Sequence, residues 1–306
     1  MPEETKQFVY IAGRGHSGST MLDAMLGNAP QIESVGELLS GMNRYDDLCS
    51  CGQSFKNCSY WAKIRKEFEN QSESSWDEAA ERLNKQAHIR SYLSTLRARP
   101  GSDSVTRLIN YNRLIAKSVC GDSNTTIVDS SKEITRALFL LRFHPEAKII
   151  HLVKNPVQIL ESDYKRLKEG SGFKFLRRRF QPQKIFAPFL AINAFAWLLG
   201  NMLAEKARKK EPDRFLQIRY EDLAENPERE FKRLEEFLGH ELRTISSSIS
   251  KGEPFAIGHN IGGNHMRLKK EFVFDPSRGM RSNLPNRYRR LAQFICRPLL
   301  KKYGYL

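Results

Sequence analysis

Apolar residues are bunched along this chain, and their spacing changes period several times. The run Phe8 to Ala12 is continuous and ends at glycine, as a strand buried on both faces would. A glycine-rich turn, Gly13 to Thr20, follows it. Then Met21, Leu22, Met25 and Leu26 fall on one helical face, so the opening unit reads strand, turn, helix. QIESVGE leads into a loop bearing cysteines, and from Trp61 to about residue 116 polar residues at helical spacing predict an inserted helical pair. From Thr125 strand and helix alternate: TTIVD, KEITRALFLLRF, AKIIHLV, then PVQILESDYKRL, a helix begun by proline in its first turn. A basic loop (165–184), an apolar helix, the strand FLQIRY and the helix PEREFKRLEEFLG complete the repeating part. Residues 252–306 hold a glycine-rich loop and a basic helix from about Pro285 to Lys302. This βαβ logic predicts a parallel sheet covered by helices on both faces, in one domain over 1–306 with 61–116 as the insert.

Composition narrows the picture. With 306 residues, 40% hydrophobic and 28% charged, the chain is neither disordered nor fibrous. It can bury roughly three quarters of its unfolded surface without disulfides or a structural metal. The N-terminus lacks the charged and apolar regions of a signal peptide, so a cytoplasmic protein is expected. Ile185 to Ala204 approaches bilayer-spanning length but contains Pro188, Asn193, Gly200 and Asn201, and reads as a buried helix. The basic residues Arg177, Arg178 and Arg179 before it, and Lys206, Arg208, Lys209 and Lys210 after it, leave membrane-surface contact open. The net charge of +15 asks for an anionic partner, whether nucleic acid, membrane, polyanion or phosphorylated small molecule.

Five cysteines without an export signal indicate reduced thiols. Cys49, Cys51 and Cys58 could be three ligands of a zinc site, but no histidine lies between Arg44 and Trp61 and paired C-x-x-C hooks are missing. Thiols ordering a loop are the simpler reading, and no metal is expected.

Gly13-x-x-x-x-Gly18 followed by Ser19 and Thr20 has Walker A spacing, in which backbone N–H groups at a helix start cradle phosphate. The lysine is missing. Ser19 stands where it should reach the β and γ phosphates, so an anion nest without a standard Mg-nucleotide site is expected. The fold class is therefore α/β, a P-loop NTPase-like parallel sheet flanked by helices with a helical insert.

GRGHSGSTML resembles the 5′-phosphosulfate loop of sulfotransferases that use 3′-phosphoadenosine 5′-phosphosulfate (PAPS). LVKNPVQILES is similar to the family's 3′-phosphate motif, with Lys154 and Ser162 eight residues apart, and RYEDL, Trp197 and Asn201 agree in place. CSCG with Cys58 and Trp61, and the ending HNIGGNHMR with YGY, look like bacterial members. The resemblance covers nearly the whole chain and rests on the order and spacing of motifs that are individually weak.

It implies a sulfuryl transfer from PAPS, leaving 3′,5′-bisphosphoadenosine, with no metal required. Arg14, Gly15, His16, Ser17, Gly18, Ser19 and Thr20 would hold the 5′ end, and Lys154 and Ser162 the 3′-phosphate. Asn264 and Arg267 would close over the nucleotide. The loop's usual basic residue falls on His16, so the catalytic cation is His16, Arg14 or Lys132. Gly36-Glu37 occupies the place of a Gly-Glu in tyrosylprotein sulfotransferases, which makes Glu37 the general base, with a helix-capping role as the rival reading. Glu33 and Asp129 are lesser candidates, and Ser130 and Ser131 with Lys132 would line the sulfate pocket.

A P-loop kinase or nucleotide-binding protein, reading TTIVD as a Walker B strand, and a basic polyanion-binding module stand as alternatives. The acceptor could be a small molecule, carbohydrate, lipid or peptide, and nucleic acid is not expected.

Overall fold

A computed structural model describes residues 7–121, 125–169, 182–277 and 279–306, with side chains from 186 onward in the third segment. The basic run Arg177 to Arg179 lies outside them.

The sheet is built as the alternation requires. Strands β1 (Phe8–Gly13), β2 (Ile32–Ser34), β3 (Thr126–Lys132), β4 (Ala147–Val153) and β5 (Phe215–Arg219) form one parallel sheet in the order β2-β3-β1-β4-β5. β1 lies in the middle with β3 on one side and β4 on the other, so the carboxyl ends of the chemistry-bearing strands converge. Ala12 pairs with Lys132 and Gly13 with Leu152, which fixes Lys132 and Lys154 on opposite sides of the loop after β1.

Helix α1 (Ser19–Leu26) returns the chain from β1, and its Leu22, Met25 and Leu26 pack on Val9, Ile11, Val128 and Ile150. β2 was not foreseen as a strand: three residues carry too little alternation to be recognised. Glu37 then leads into the single turn α2 (Leu38–Gly41). The insert holds more than a pair, with α3 (Ser59–Gln71), α4 (Trp76–Ala87), the short α5 (Tyr92–Arg97) and α6 (Asp103–Cys120) between β2 and β3. Its buried Trp61, Phe68 and Trp76 join Phe8 and Ile127 of the sheet in one continuous core.

α7 (Ile134–Phe143) and α8 (Pro156–Glu169) flank β4, and α9 (Pro182–Lys210) precedes β5. The long helix is not buried all round as its composition suggested. Leu190, Ala194, Trp197 and Ala204 face the core, whereas Ile192, Phe195, Leu199 and Met202 form an exposed apolar stripe. After β5 come α10 (Tyr220–Glu225), α11 (Pro227–Leu238) and α12 (Arg243–Lys251), then a hairpin of β6 (Pro254–Ala256) and β7 (Glu271–Val273) around the glycine-rich loop. The terminal α13 (Asn286–Lys302) packs on α8 and α9 through Tyr288, Ala292 and Cys296.

Candidate active site

The loop between β1 and α1 is held in a shape few residues allow. Ser17 N–H donates to the Arg14 carbonyl (3.1 Å), and His16 (φ 68°) and Gly18 (φ 94°) both take the left-handed conformation. A Cβ on Gly18 would fall 2.7 Å from the Tyr220 ring, and one on Gly13 would fall 2.7 Å from the Leu152 carbonyl of β4, so the fold itself demands both glycines. Nothing lies within 4 Å of the corresponding point on Gly15. Backbone amides alternating in this way have the geometry of a nest, the arrangement that binds anions elsewhere, at the start of α1, where the N–H groups of Ser19 and Thr20 belong to the open helix end. The Ser17 hydroxyl is fully buried there with no hydrogen-bond partner, and the Ser130 hydroxyl at the end of β3 is the same.

The cations stand around this loop. Arg14 donates to Asn193 Oδ1 of α9 (2.5 Å), and His16 Nε2 lies 3.5 Å from Asp163 of α8. Lys132, at the end of β3, pairs with the carboxylate of Glu37. Among the described residues only His16 and Lys132 hold a positive φ without being glycine. Such a backbone costs about 1–3 kcal/mol and persists where the surrounding structure imposes it, often at working sites.

Glu37 occupies the N-cap position of α2, yet its side chain makes no capping bond. The helix-cap reading therefore does not describe it. Its N–H donates to the Ile261 carbonyl (2.8 Å), and Ser40 Oγ donates to its second carboxylate oxygen (3.4 Å). Gly262 (φ 67°) and Gly263 (φ 76°) press against it, and a Cβ on Gly263 would overlap the carboxylate. Behind this wall, buried Asn260 donates to Asp23 (2.8 Å) and to the Ser34 hydroxyl (2.9 Å). Burial pushes the Asp23 carboxyl well above its ordinary range, a shift only partly countered by the Ser34 hydroxyl.

The lesser carboxylates are already engaged. Glu33 accepts the Tyr60 hydroxyl (2.6 Å). Asp129 is fully buried against Arg136 (3.2 Å) and also accepts the Ser131 N–H (2.9 Å) and hydroxyl (2.5 Å). Ser131 Oγ in turn accepts from Leu39 N–H (3.0 Å), so Ser131 braces α2.

On the other side of the loop, Lys154 is buried with its ammonium 3.7 Å from the centre of the Tyr220 ring. Tyr220 thus touches both Gly18 and Lys154. Sequence reasoning passed over it, because an aromatic inside RYEDL looks like core until the loop is seen resting on it. Ser162 lies on α8 with its hydroxyl 3.4 Å from the Gln158 carbonyl. Asn155 Oδ1 accepts Val157 N–H (3.0 Å) to start α8, and its own N–H donates to Glu221 (3.0 Å). Glu221 also accepts the Tyr305 hydroxyl (2.7 Å), and Trp197 Nε1 donates to the Lys154 carbonyl (3.1 Å), so RYEDL, YGY and the Trp197 helix all brace one basic turn.

Asn264 and Arg267 have partners inside the protein. Asn264 caps the short helical turn His265–Leu268 by accepting Met266 N–H (2.9 Å), and buried Arg267 donates to the carbonyls of Leu48 (3.0 Å) and Gly263 (3.5 Å). Arg267 thereby ties the glycine loop to the cysteine loop.

A glycine turn after β1 and a buried lysine just after β4, with a carboxylate and ammonium pair beside them, stand together at the carboxyl edge of a P-loop NTPase-like α/β sheet. The chain belongs to the sulfotransferase family, whose model matches residues 9–244. Solved structures agree on the fold. The sulfotransferase domain of the Synechococcus PCC 7002 olefin synthase aligns over 97% of this chain and 96% of its own at 17% identity, with TM-score 0.50. The sulfotransferase domain from the curacin biosynthetic pathway aligns over 98% of both at 19% identity, with TM-score 0.51. A Mycobacterium avium sulfotransferase, STF9, aligns over 97% of this chain and 77% of its own at 11% identity, with TM-score 0.50. No curated protein matches significantly.

Proposed function

We propose that this sulfotransferase moves a sulfuryl group from PAPS to a hydroxyl or amine of its acceptor, with Glu37 as general base and without a metal ion in the transfer step. The observation that carries this is one ring touching both candidate phosphate sites: Tyr220 lies against Gly18 of the loop and under the ammonium of Lys154. A nucleotide phosphorylated at both 3′ and 5′ positions needs two such sites, and a triphosphate chain needs one long one. The orphaned hydroxyls of Ser17 and Ser130 fit oxygens that an incoming anion would bring.

PAPS, when bound, supplies the sulfuryl group and a bisphosphate that leaves. The loop residues 14–20 would hold its 5′ end, and Lys154 and Ser162 its 3′-phosphate. Lys132 and Arg14 would offer positive charge, and His16 beside the loop a hydrogen bond, to the leaving oxygen as it gains negative charge. Glu37 receives the acceptor's proton, and the glycine wall at 262 and 263 keeps its carboxylate in one direction.

A kinase reading would need Asp129 for magnesium, but both its oxygens are taken by Arg136 and Ser131. The test is thermal stabilisation together with transfer of labelled sulfate. Stabilisation by 3′,5′-bisphosphoadenosine and label transfer from PAPS to a panel of hydroxyl and amine acceptors are expected. Stabilisation by Mg-ATP alone would overturn the proposal.

A further inference from the structure

The fourth ligand that the cysteine cluster lacks in sequence arrives from 201 residues away: Cys58 Sγ lies 3.3 Å from Nδ1 of His259. Cys49 Sγ is 3.8 Å from the same nitrogen, and the sulfurs of Cys51 and Cys49 are 3.7 and 3.8 Å from that of Cys58. All four ligand atoms lie within 4.8 Å of one another. Zinc–sulfur bonds of about 2.3 Å and zinc–nitrogen bonds of about 2.0–2.1 Å at tetrahedral angles put sulfur pairs about 3.8 Å apart and sulfur and nitrogen about 3.5 Å apart. The four separations given match edges of that tetrahedron to within about 0.3 Å.

The surroundings hold each ligand in place. Gly52 N–H donates to the Cys49 carbonyl (2.9 Å) and Cys49 N–H to the Gln53 carbonyl (2.8 Å), with Gly52 at φ 89°, so Cys49 and Cys51 are carried by a tight turn. Cys58 is the N-cap of α3, where a negative ligand meets the positive end of a 13-residue helix. The His259 ring stacks on Tyr60 (4.5 Å, 6° between planes), and the His259 carbonyl accepts Trp61 Nε1 (2.6 Å). Ligands oriented by such outer contacts are what a closed metal site requires. Cys49 and Cys58 are buried and Cys51 is exposed, which leaves an entry path for the ion.

We propose that Cys49, Cys51, Cys58 and His259 bind one Zn²⁺ in a structural site. Four protein ligands leave no open position for substrate or water, so the ion acts as a fastener. It ties the cysteine turn to residues 259–263, the segment whose Ile261 carbonyl takes Glu37 N–H and whose Gly262 and Gly263 wall in the Glu37 carboxylate. The consequence for Glu37 rests on the proposed transfer, whereas the presence of the metal does not.

Metal analysis of the full chain purified without chelator should find one zinc per chain. Cys58→Ser and His259→Ala should each lose it, and a mercurial reagent should release it from the parent protein. Cobalt loaded in its place should give thiolate charge-transfer and tetrahedral d–d absorption, a readout available even if the variants fold poorly. Chelator-stripped protein should melt at lower temperature and recover with zinc. Metal-free protein with all five thiols titratable would overturn the site, and so would a disulfide among the three cysteines that leaves three titratable thiols. Either result leaves PAPS-dependent transfer standing, since that is measured separately.

Discussion

The two walls of the site are made in opposite ways. The proposed phosphate wall is mostly local: β1, the five residues 14–18 and the start of α1, with the basic turn at Lys154 beside it and with Leu152, Tyr220, Asn193 and Asp163 touching the loop from other elements. The proposed base wall is gathered from remote pieces: Glu37 after β2, Lys132 at the end of β3, the 259–263 segment near the C-terminus and the cysteine turn at 49–58. A contiguous site carries its geometry in local glycine spacing, whereas a gathered one depends on tertiary packing and, here, on the proposed metal. The first should tolerate damage elsewhere in the molecule, and the second should fail when any one of its parts is lost.

The sharpest test is Glu37→Gln, which keeps the shape of the side chain and removes its capacity to take a proton. Turnover should fall by about 10²–10⁴-fold, the usual contribution of a general base. Nucleotide affinity, which belongs to the other wall, should be unchanged in a titration with 3′,5′-bisphosphoadenosine. Full activity in this variant would make another group the base.

Lys154→Ala should show the reverse split. Removing a buried charge from a phosphate contact costs about 1.5–3 kcal/mol, so the nucleotide dissociation constant should rise roughly ten- to a hundredfold. Turnover at saturating nucleotide should change far less. A fall in turnover with unaltered affinity would mean that Lys154 supports the loop through Tyr220 instead of holding phosphate.

This division also explains what could be read from residues alone. The strand, glycine turn and helix from Phe8 to Leu26 were legible because each step has a local signature, and the strands at 126, 147 and 215 were legible because they are apolar runs bounded by turn residues. β2 was too short to register. The α9 stripe of Ile192, Phe195, Leu199 and Met202 was misread, since composition does not say which side of an apolar helix the fold will cover. His259 could not be assigned to three cysteines 201 or more residues earlier, because no spacing rule spans such a separation. Asn264 and Arg267 stand out in sequence for their place in a glycine loop, but only packing shows that Arg267 ties that loop to the cysteine turn and that Asn264 caps the short helix within it.

Gly263→Ala probes the base wall more gently. The new Cβ would overlap the Glu37 carboxylate at a residue with φ 76°, so both the backbone and the base must yield. Overpacking of this kind costs about 1–3 kcal/mol. The melting temperature should drop and turnover should fall roughly tenfold, with nucleotide affinity retained. An unchanged turnover would show that the Glu37 carboxylate moves freely while working.

Gly15→Ala is the smallest perturbation and bears directly on the phosphate wall. Nothing in the protein lies within 4 Å of the added methyl group, and Gly15 is not among the positive-φ residues, so stability should stay within about 0.5 kcal/mol. Gly13 and Gly18 are explained by contacts with Leu152 and Tyr220; Gly15 has no such internal reason. If the loop mouth receives an anion close to the backbone, the methyl group should weaken nucleotide binding several-fold with no change in melting temperature. Equal affinity in parent and variant would place the anion away from Gly15, with the nest formed by His16, Ser17 and Gly18 alone.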